Sequence, residues 1–375
     1  MKNGWQTKTL GEMCEVLNGG TPKTGVPEYW GGKHLWITPA EMGKRLSPYA
    51  DDTERKITDS GLRDSSAQML PPNSVILSSR APIGHLVINT KPMATNQGCK
   101  GLVPGSQLQH KFLYYYLSSI VDLLNSLGTG ATFKELSGGK LKEVPVPITS
   151  LPEQQRLVGL LDEAFAGIAR ARANAEINLQ NARALFDSNL QSVFTQRGKG
   201  WVDKTIADCF KVRSGDFLPA KAMVGSGSFN VYGGNGINGR HDQKNLSGAN
   251  IIIGRVGAKC GNVHLVKGNA WVTDNALYIS DYLCPFDLGF LTRLLRLKDL
   301  RSRANQMAQP VISYTTIKDV ALEFPASKVE QEKISSSFDA LEVETQRLAS
   351  TYERKIAALD ALKKSLLHQA FSGKL

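Results

Sequence analysis

The sequence predicts an α+β protein. Two mixed α/β lobes alternate with two long helices. The helices pack against each other, and the whole is a tandem repeat of lobe plus helix. Three observations predict this. Pro152 to Arg197 keeps helical periodicity throughout. A shift of 177 positions reproduces that stretch without a gap at the end of the sequence. A shift of 196 reproduces the opening of the first lobe directly after the first helix.

The first helix is carried by Leu157, Leu161, Ala164, Ile168, Ala171, Ala175, Leu179, Ala182, Phe186, Leu190 and Val193. These apolar positions recur in steps of three or four, the spacing of one helix face. Ser150 and Glu153 have the spacing of a capping box, and Gly198 follows the last turn. At 1.5 Å per residue the helix is roughly 65–70 Å long, too long for the core of one lobe, so it needs a partner of similar length.

The shifted copy supplies that partner. Ser150 falls on Ser327, Glu153 on Glu330, Gln154 on Gln331 and Asp162 on Asp339. Arg170 falls on Arg347, Glu176 on Glu353, Leu190 on Leu367 and Phe194 on Phe371. The apolar line carries over as Ile334, Phe338, Leu341, Leu348, Tyr352, Ile356, Leu359, Leu367 and Ala370, with Thr345 and Lys363 as exceptions. Two amphipathic helices of equal length bury their stripes most simply against each other.

The lobes repeat at their openings. Trp5 matches Trp201, Lys8 matches Lys204, Thr9 matches Thr205, Val16 matches Val212 and Gly19 matches Gly215. The chain therefore divides into a first lobe (1–150), a first long helix (151–199), a second lobe (200–327) and a second long helix (328–375). Within each lobe, short β-type runs such as 36–42, 74–88 and 251–256 are broken by glycine and proline. One helix is expected over 112–127 and another over 290–300, and 229–241 reads as turn-rich. Extended exits, 142–147 and 320–325, lead into the long helices.

Composition narrows the function. The 375 residues carry a net charge of +11. Residues 1–150 contribute +4 (16 basic, 12 acidic) and residues 200–327 contribute +5 (15 basic, 10 acidic), while each helical segment adds only +1. A basic excess placed on the lobes is the footprint of a polyanionic partner. No apolar run is long enough to span a membrane, and the N-terminus lacks the apolar core of an export signal. Five scattered cysteines without a CxxC pair suit a reducing cytoplasm and argue against a zinc site.

Catalytic signatures are weak. Gly234, Gly236 and Gly239 form a GxGxxG, but the polar stretch after it is not the helix that would hold a pyrophosphate. There is no P-loop and no HExxH, and Pro71-Pro72-Asn73 lacks the acidic or amide residue before it and the aromatic after it that an amino-methyltransferase site would show. A chain that does no chemistry itself is expected, with neither catalytic residues nor a metal of its own. Residues suited to reading DNA do occur at loop positions. Arg80 and Arg255 follow apolar strands and can grip guanine O6 and N7. Asn96, Gln97 and Asn275 can do the same for adenine N6 and N7. Lys23, Lys44, Arg45, Lys56, Arg240, Lys244, Lys259, Arg301 and Arg303 can contact phosphates, which position a protein without specifying sequence.

The motifs that tie these features to a known family are Gly19-Gly20-Thr21-Pro22, Ser78-Ser79-Arg80-Ala81-Pro82-Ile83-Gly84, Thr95-Asn96-Gln97-Gly98, Gly128-Thr129-Gly130 and the helix entry Leu151-Pro152-Glu153-Gln154-Gln155-Arg156. In the second half they are Tyr232-Gly233-Gly234-Asn235-Gly236, Ile253-Gly254-Arg255-Val256-Gly257 and Thr273-Asp274-Asn275-Ala276. Together they resemble the specificity subunit of type I restriction–modification systems. The second helix entry, Val329-Glu330-Gln331-Glu332, lacks the leading proline of the first.

The resemblance implies that the two lobes are target-recognition domains on double-stranded DNA, each reading half of a bipartite, asymmetric site, and that the long helices pack as an antiparallel coiled coil, giving the tandem repeat pseudo-twofold symmetry. It implies two methyltransferase subunits docked on this chain, with restriction subunits added to that core. S-adenosylmethionine, ATP and magnesium would then belong to the partners and none to this chain. A helix of roughly 65 Å corresponds to about two turns of DNA at ~34 Å each, so the helices are expected to set an unread spacer.

Overall fold

The computed structural model describes residues 4–130, 134–305 and 310–375. The periodic stretches form single helices, Leu151–Gln196 and Lys328–Phe371. Every position of the predicted apolar line on the first helix is buried or half-buried. On the second, Thr345 is buried with the line, while Lys363 is exposed. A left-handed residue does end the first helix, but it is Arg197 (φ 40°) and not Gly198. Arg197 reaches Asp203 at 3.3 Å and Glu323 at 3.5 Å. The second helix closes on Gly373 (φ 71°), with the Lys374 N–H donating to the Gln369 carbonyl, as in a Schellman turn.

The chain divides into two compact units. The first comprises Met1–Ala175 with Arg354–Leu375. Its main sheet has five strands in the order Cys14–Asn18, Cys99–Pro104, Val75–Ser78, Leu86–Asn89 and Tyr49–Ala50. A smaller sheet sets Trp30–Ile37 between Arg55–Ile57 and Met93–Thr95, pairing parallel with the latter. The opening strand Gln6–Thr9 pairs antiparallel with Pro145–Ile148, the exit into the long helix. The expected helix over 112–127 is two helices, His110–Ser119 and Val121–Leu127, parted at Ile120. Ser118 and Ser119 turn their hydroxyls back onto the carbonyls of Tyr114 and Tyr116, a competition with the helix ladder that favours a break.

Within this unit the start of the first long helix runs antiparallel to the end of the second. Arg156 donates to the Leu375 carbonyl, Lys363 lies over the Phe165 ring, and Arg172 pairs with Asp360. Leu157, Leu161, Leu367 and Ala370 join the lobe core with Phe112, Leu113 and Val146. Phe112 packs against Trp5 and Phe371, at 6.4 and 5.0 Å between ring centroids.

The second unit, Glu176–Glu353, has the same plan in its own residues. A four-stranded sheet runs Phe210–Ser214, Ala276–Tyr282, Asn250–Gly254 and Val263–Val266. A three-stranded sheet sets Phe229–Gly233 between Gly236–His241 and Ala270–Val272. Trp201–Thr205 pairs with the exit strand Ala321–Pro325. Here the end of the first long helix meets the start of the second, with Arg183 on Glu353 and Phe194 stacked on Phe338. Phe290 packs against Trp201 and Phe194, at 6.4 and 5.3 Å, the counterparts of Trp5 and Phe371 around Phe112.

The region read as turn-rich, 229–241, is a hairpin. Its glycines serve that turn. Gly236 adopts φ 95°, and a side chain on Gly239 would sit 2.8 Å from the Met223 sulfur. The GxGxxG is thus accounted for by strand pairing.

Candidate nucleic-acid interface

In the first lobe the separate loop motifs meet at one edge. The Gly19 and Gly20 amides donate to the carbonyls of Cys99 (3.2 Å) and Thr95 (2.9 Å). The Ser79 amide donates to Gly98 (2.7 Å), and the Leu136 amide to Ser79 (2.8 Å). Asn96 ties the set, donating to the Thr21 hydroxyl (2.9 Å) and accepting from the Gly98 amide (2.8 Å). Both glycines are required by close approach. A Cβ on Gly19 would lie 1.9 Å from the Asn96 carbonyl oxygen, and one on Gly20 would lie 2.1 Å from the Ala67 nitrogen. Gly128, Thr129 and Gly130 border the same edge, whereas Ala131 and Thr132 lie outside the described residues.

The second lobe builds the corresponding edge. Gly215 and Asp216 donate to Ala276 (3.1 Å) and Val272 (3.0 Å), Arg255 donates to Asn275 (2.9 Å), and Ile312 donates to Arg255 (2.8 Å). The Asn245 amide clamps the loops by donating to Asp216 and to the Val272 carbonyl, each at 2.8 Å.

The candidate base readers differ in their freedom. Gln97 and Asn275 are exposed, and neither carries a side-chain partner among the described residues. Asn96 is occupied in holding its loop. Arg255 turns inward, donating from Nη1 to the Asp274 carbonyl at 3.0 Å and reaching the Ser214 hydroxyl at 3.4 Å. Arg80 is 44% exposed and ion-paired with Glu135 at 3.0 Å. Arg80 and Arg255 are not structural counterparts. Arg80 faces Glu135 across an antiparallel bridge, and the matching bridge of the second lobe joins Val256 to Val311.

The candidate phosphate contacts also divide. Lys23, Lys259 and Arg303 are exposed and unpaired among the described residues. Lys44 and Lys56 are exposed or half-exposed and share their charge with Glu54 (3.6 Å) and Asp52 (3.0 Å). Lys244 lies 6.0 Å from the Phe229 ring centroid. Arg301 donates to the Ala258 carbonyl at 2.7 Å, and Arg240 caps the carbonyls of Gly227 and Ser228. Arg45 is largely buried, bound to Glu41 at 2.7 Å and to the Asp52 carbonyl, an arrangement that fixes the 41–53 turn.

Several contributors went unseen in the sequence. Lys100 is only 7% exposed on the central strand Cys99–Pro104. Burial pushes its ammonium below the ordinary lysine value, Glu135 opposes that, and Arg80 adds to it. A lysine inside an apolar strand run was the available signal. Glu135 and Asn245 carried none, because their role depends on loops that meet only in the fold.

Comparison with known proteins agrees with this architecture. The family model described as "Type I restriction modification DNA specificity domain" matches residues 2–179 and 198–356. The chain belongs to that family. It is 33% identical over 235 residues to the type I restriction enzyme MjaIX specificity subunit of Methanocaldococcus jannaschii, covering 58% of this chain and 54% of that one. The chain thus spans about half the length of that relative. It is 25% identical over 336 residues to the EcoprrI specificity subunit of Escherichia coli, covering 84% of this chain and 82% of that one. A solved structure described under "complex assembly and conformational transition of the type I R-M system" superposes with a TM-score of 0.79 at 16% identity. It covers 100% of this chain and 99% of its own and shares the fold. Among the described residues no helix is long and apolar enough to cross a membrane, and no group of three or more His, Cys, Asp and Glu is placed to hold a metal ion.

Proposed function

We propose that this chain is the non-catalytic DNA-specificity subunit of a type I restriction–modification complex, acting in the cytoplasm. The observation that carries the reading is the pair of matching loop edges, one per lobe, framed by the same backbone contacts and fitted with different side chains. Gln97 and Asn275 stand free at these edges. Same frame and different readers mean two different half-sites, hence a bipartite, asymmetric target.

The segments divide the labour as 1–150 and 200–327 for recognition and 151–199 and 328–375 for spacing and for docking two methyltransferase subunits. Restriction subunits join that core. S-adenosylmethionine, ATP and magnesium are held by those partners. The exposed cations Lys23, Lys259 and Arg303 hold the lobes on the phosphates, while the loop edges read base edges in the groove.

The test is genome-wide adenine-methylation mapping in a host carrying this chain with its neighbouring methyltransferase, against a host lacking only this chain. One bipartite motif that disappears with the chain is the expected result. Methylation that does not change, from an active methyltransferase, would favour a coiled-coil scaffold with no role in sequence choice.

A further inference from the structure

We propose that Glu135 positions Arg80, so that the first lobe reads one G·C pair through the Arg80 guanidinium, a device the second lobe lacks. The inference rests on the specificity reading above and adds to it the residue that sets one base preference.

The Glu135 carboxylate meets Arg80 at Nε, 3.0 Å away. A guanidinium held at Nε still offers its Nη1–Nη2 edge, and a planar fork presented edge-on is what guanine O6 and N7 accept. The carboxylate is itself well anchored. The Glu135 amide donates to the Thr129 carbonyl at 2.8 Å, and its carbonyl accepts from the Thr129 amide at 3.0 Å. The backbones of Arg80 and Glu135 also face each other across a bridge. The Arg80 stem passes over Gly98, where an added Cβ would lie 3.6 Å from its Cδ. That brings the arginine beside Gln97, the free amide of the same edge. Lys100, almost wholly buried on the neighbouring strand opposite Leu77, supplies a second cation close enough to act on both groups. Glu135 therefore offsets two positive charges, Arg80 at 3.0 Å and Lys100 through its field. Without its charge Arg80 and Lys100 repel, and the arginine loses its fixed direction. Holding a long side chain in advance removes the rotamer cost of ordering it on DNA.

The second lobe puts valines at the matching bridge and directs Arg255 into its own loop. Its half-site is read without such a pair.

The experiment is methylation mapping with the full complex, comparing the unsubstituted chain with Glu135→Gln and Arg80→Lys. In the unsubstituted chain, one half-site contains a G·C pair read with high selectivity. Arg80→Lys keeps the charge and loses the fork, and it lowers selectivity at that position by at least about tenfold. Glu135→Gln relaxes the same position by about five- to tenfold, with every other position and the other half-site unchanged. The inference is overturned if Glu135→Gln leaves all positions as selective as before, if both variants weaken all positions evenly, or if neither half-site contains a G·C pair. A host in which no motif depends on the chain removes the specificity reading itself, and this inference with it.

Discussion

Gln154 and Gln331 perform the same task, 177 positions apart. Each is fully buried in the first turn of a long helix. The Gln154 side-chain carbonyl accepts the amide of Gln109, the N-cap of the lobe helix, at 2.9 Å. The Gln331 side-chain carbonyl accepts the amide of Asp287, the N-cap of the corresponding helix, at 2.9 Å. Each NH2 group donates back to the chain just before its own helix, to Thr149 at 2.8 Å and to Pro325 at 2.9 Å. Two turns further along, Asp162 binds Tyr115 and Asp339 binds Arg293, again at matching sites. A polar clamp, not apolar packing alone, fixes how each long helix leaves its lobe.

Removing a clamp should be costly. Gln154→Ala leaves the Gln109 amide and the carbonyls of Gln107 and Thr149 without the side chain that pairs them. Leaving buried polar groups unpaired is expected to cost about 2–4 kcal/mol. Urea unfolding of Gln154→Ala and Gln331→Ala should show a comparable loss in each case. A loss below about 0.5 kcal/mol would mean that water replaces the clamp without penalty.

The long helices and their repeat were legible in the sequence because helical burial has a fixed period and a shifted copy confirms it. The clamp was half legible. The match of Gln154 to Gln331 was visible, but its partners, Gln109 and Asp287, lie 45 and 44 residues away. The strands were legible where apolar runs were short, and the 229–241 hairpin was lost because four of its thirteen residues are glycine. The loop edge proposed to read DNA was least legible. Arg80 and Arg255 look alike in sequence, each following an apolar strand, yet an offset of one residue gives them different directions. One position along a strand reverses the face a side chain takes.

That difference predicts opposite behaviour for Arg255 and Asn275. Arg255→Ala removes the hydrogen bond to Asp274, so it should destabilise the second lobe by about 1–2 kcal/mol and blur its whole half-site. Asn275→Ala, exposed and unpaired, should leave the unfolding midpoint unchanged and relax a single base position by about 1–3 kcal/mol. Equal loss of stability in the two variants would contradict this assignment.

Acid should loosen the second lobe through His264. Burial pushes its imidazole below the ordinary value of 6.5, and Arg296 adds to that, with a Gly234 hydrogen bond working the other way. Its Nε2 is buried with no partner among the described residues. The folded value lies below the unfolded one, so the stabilisation is full above pH 6.5 and declines as pH falls below it. Thermal unfolding at pH 7.5 and 5.5 should show a drop that His264→Gln reduces. An identical drop in the variant would place the sensitivity elsewhere, with His110 of the first lobe, shifted in the same direction, as the next group to replace.

Salt dependence should tell whether Lys23, Lys259 and Arg303 contact phosphates, as proposed. Replacing Lys23, Lys259 or Arg303 with alanine should weaken DNA binding by the complex on every sequence alike. The slope of log affinity against log salt should fall by about 0.9 for each phosphate left without its cation. Arg45→Ala should leave the slope unchanged, because that guanidinium is already committed to Glu41 and the Asp52 carbonyl. A slope change for Arg45→Ala as large as for Lys23→Ala would show that its internal hydrogen bonds yield to DNA.

The helices make the last prediction, about distance. Deleting one turn from each long helix, at positions facing each other in the antiparallel register, removes about 6 Å from each. The helix entries and both loop edges remain as they are, so the same bases should be read. With ~3.4 Å between base pairs, the unread spacer should shorten by one or two base pairs. Deletion from one helix alone takes the apolar line of that helix out of step with its partner, and it should cost stability without yielding a new motif. The methylation motif of the doubly shortened chain decides the matter. Unchanged half-sites with a shorter spacer support the ruler, whereas an unchanged spacer means that the docked methyltransferases, not these helices, set the separation.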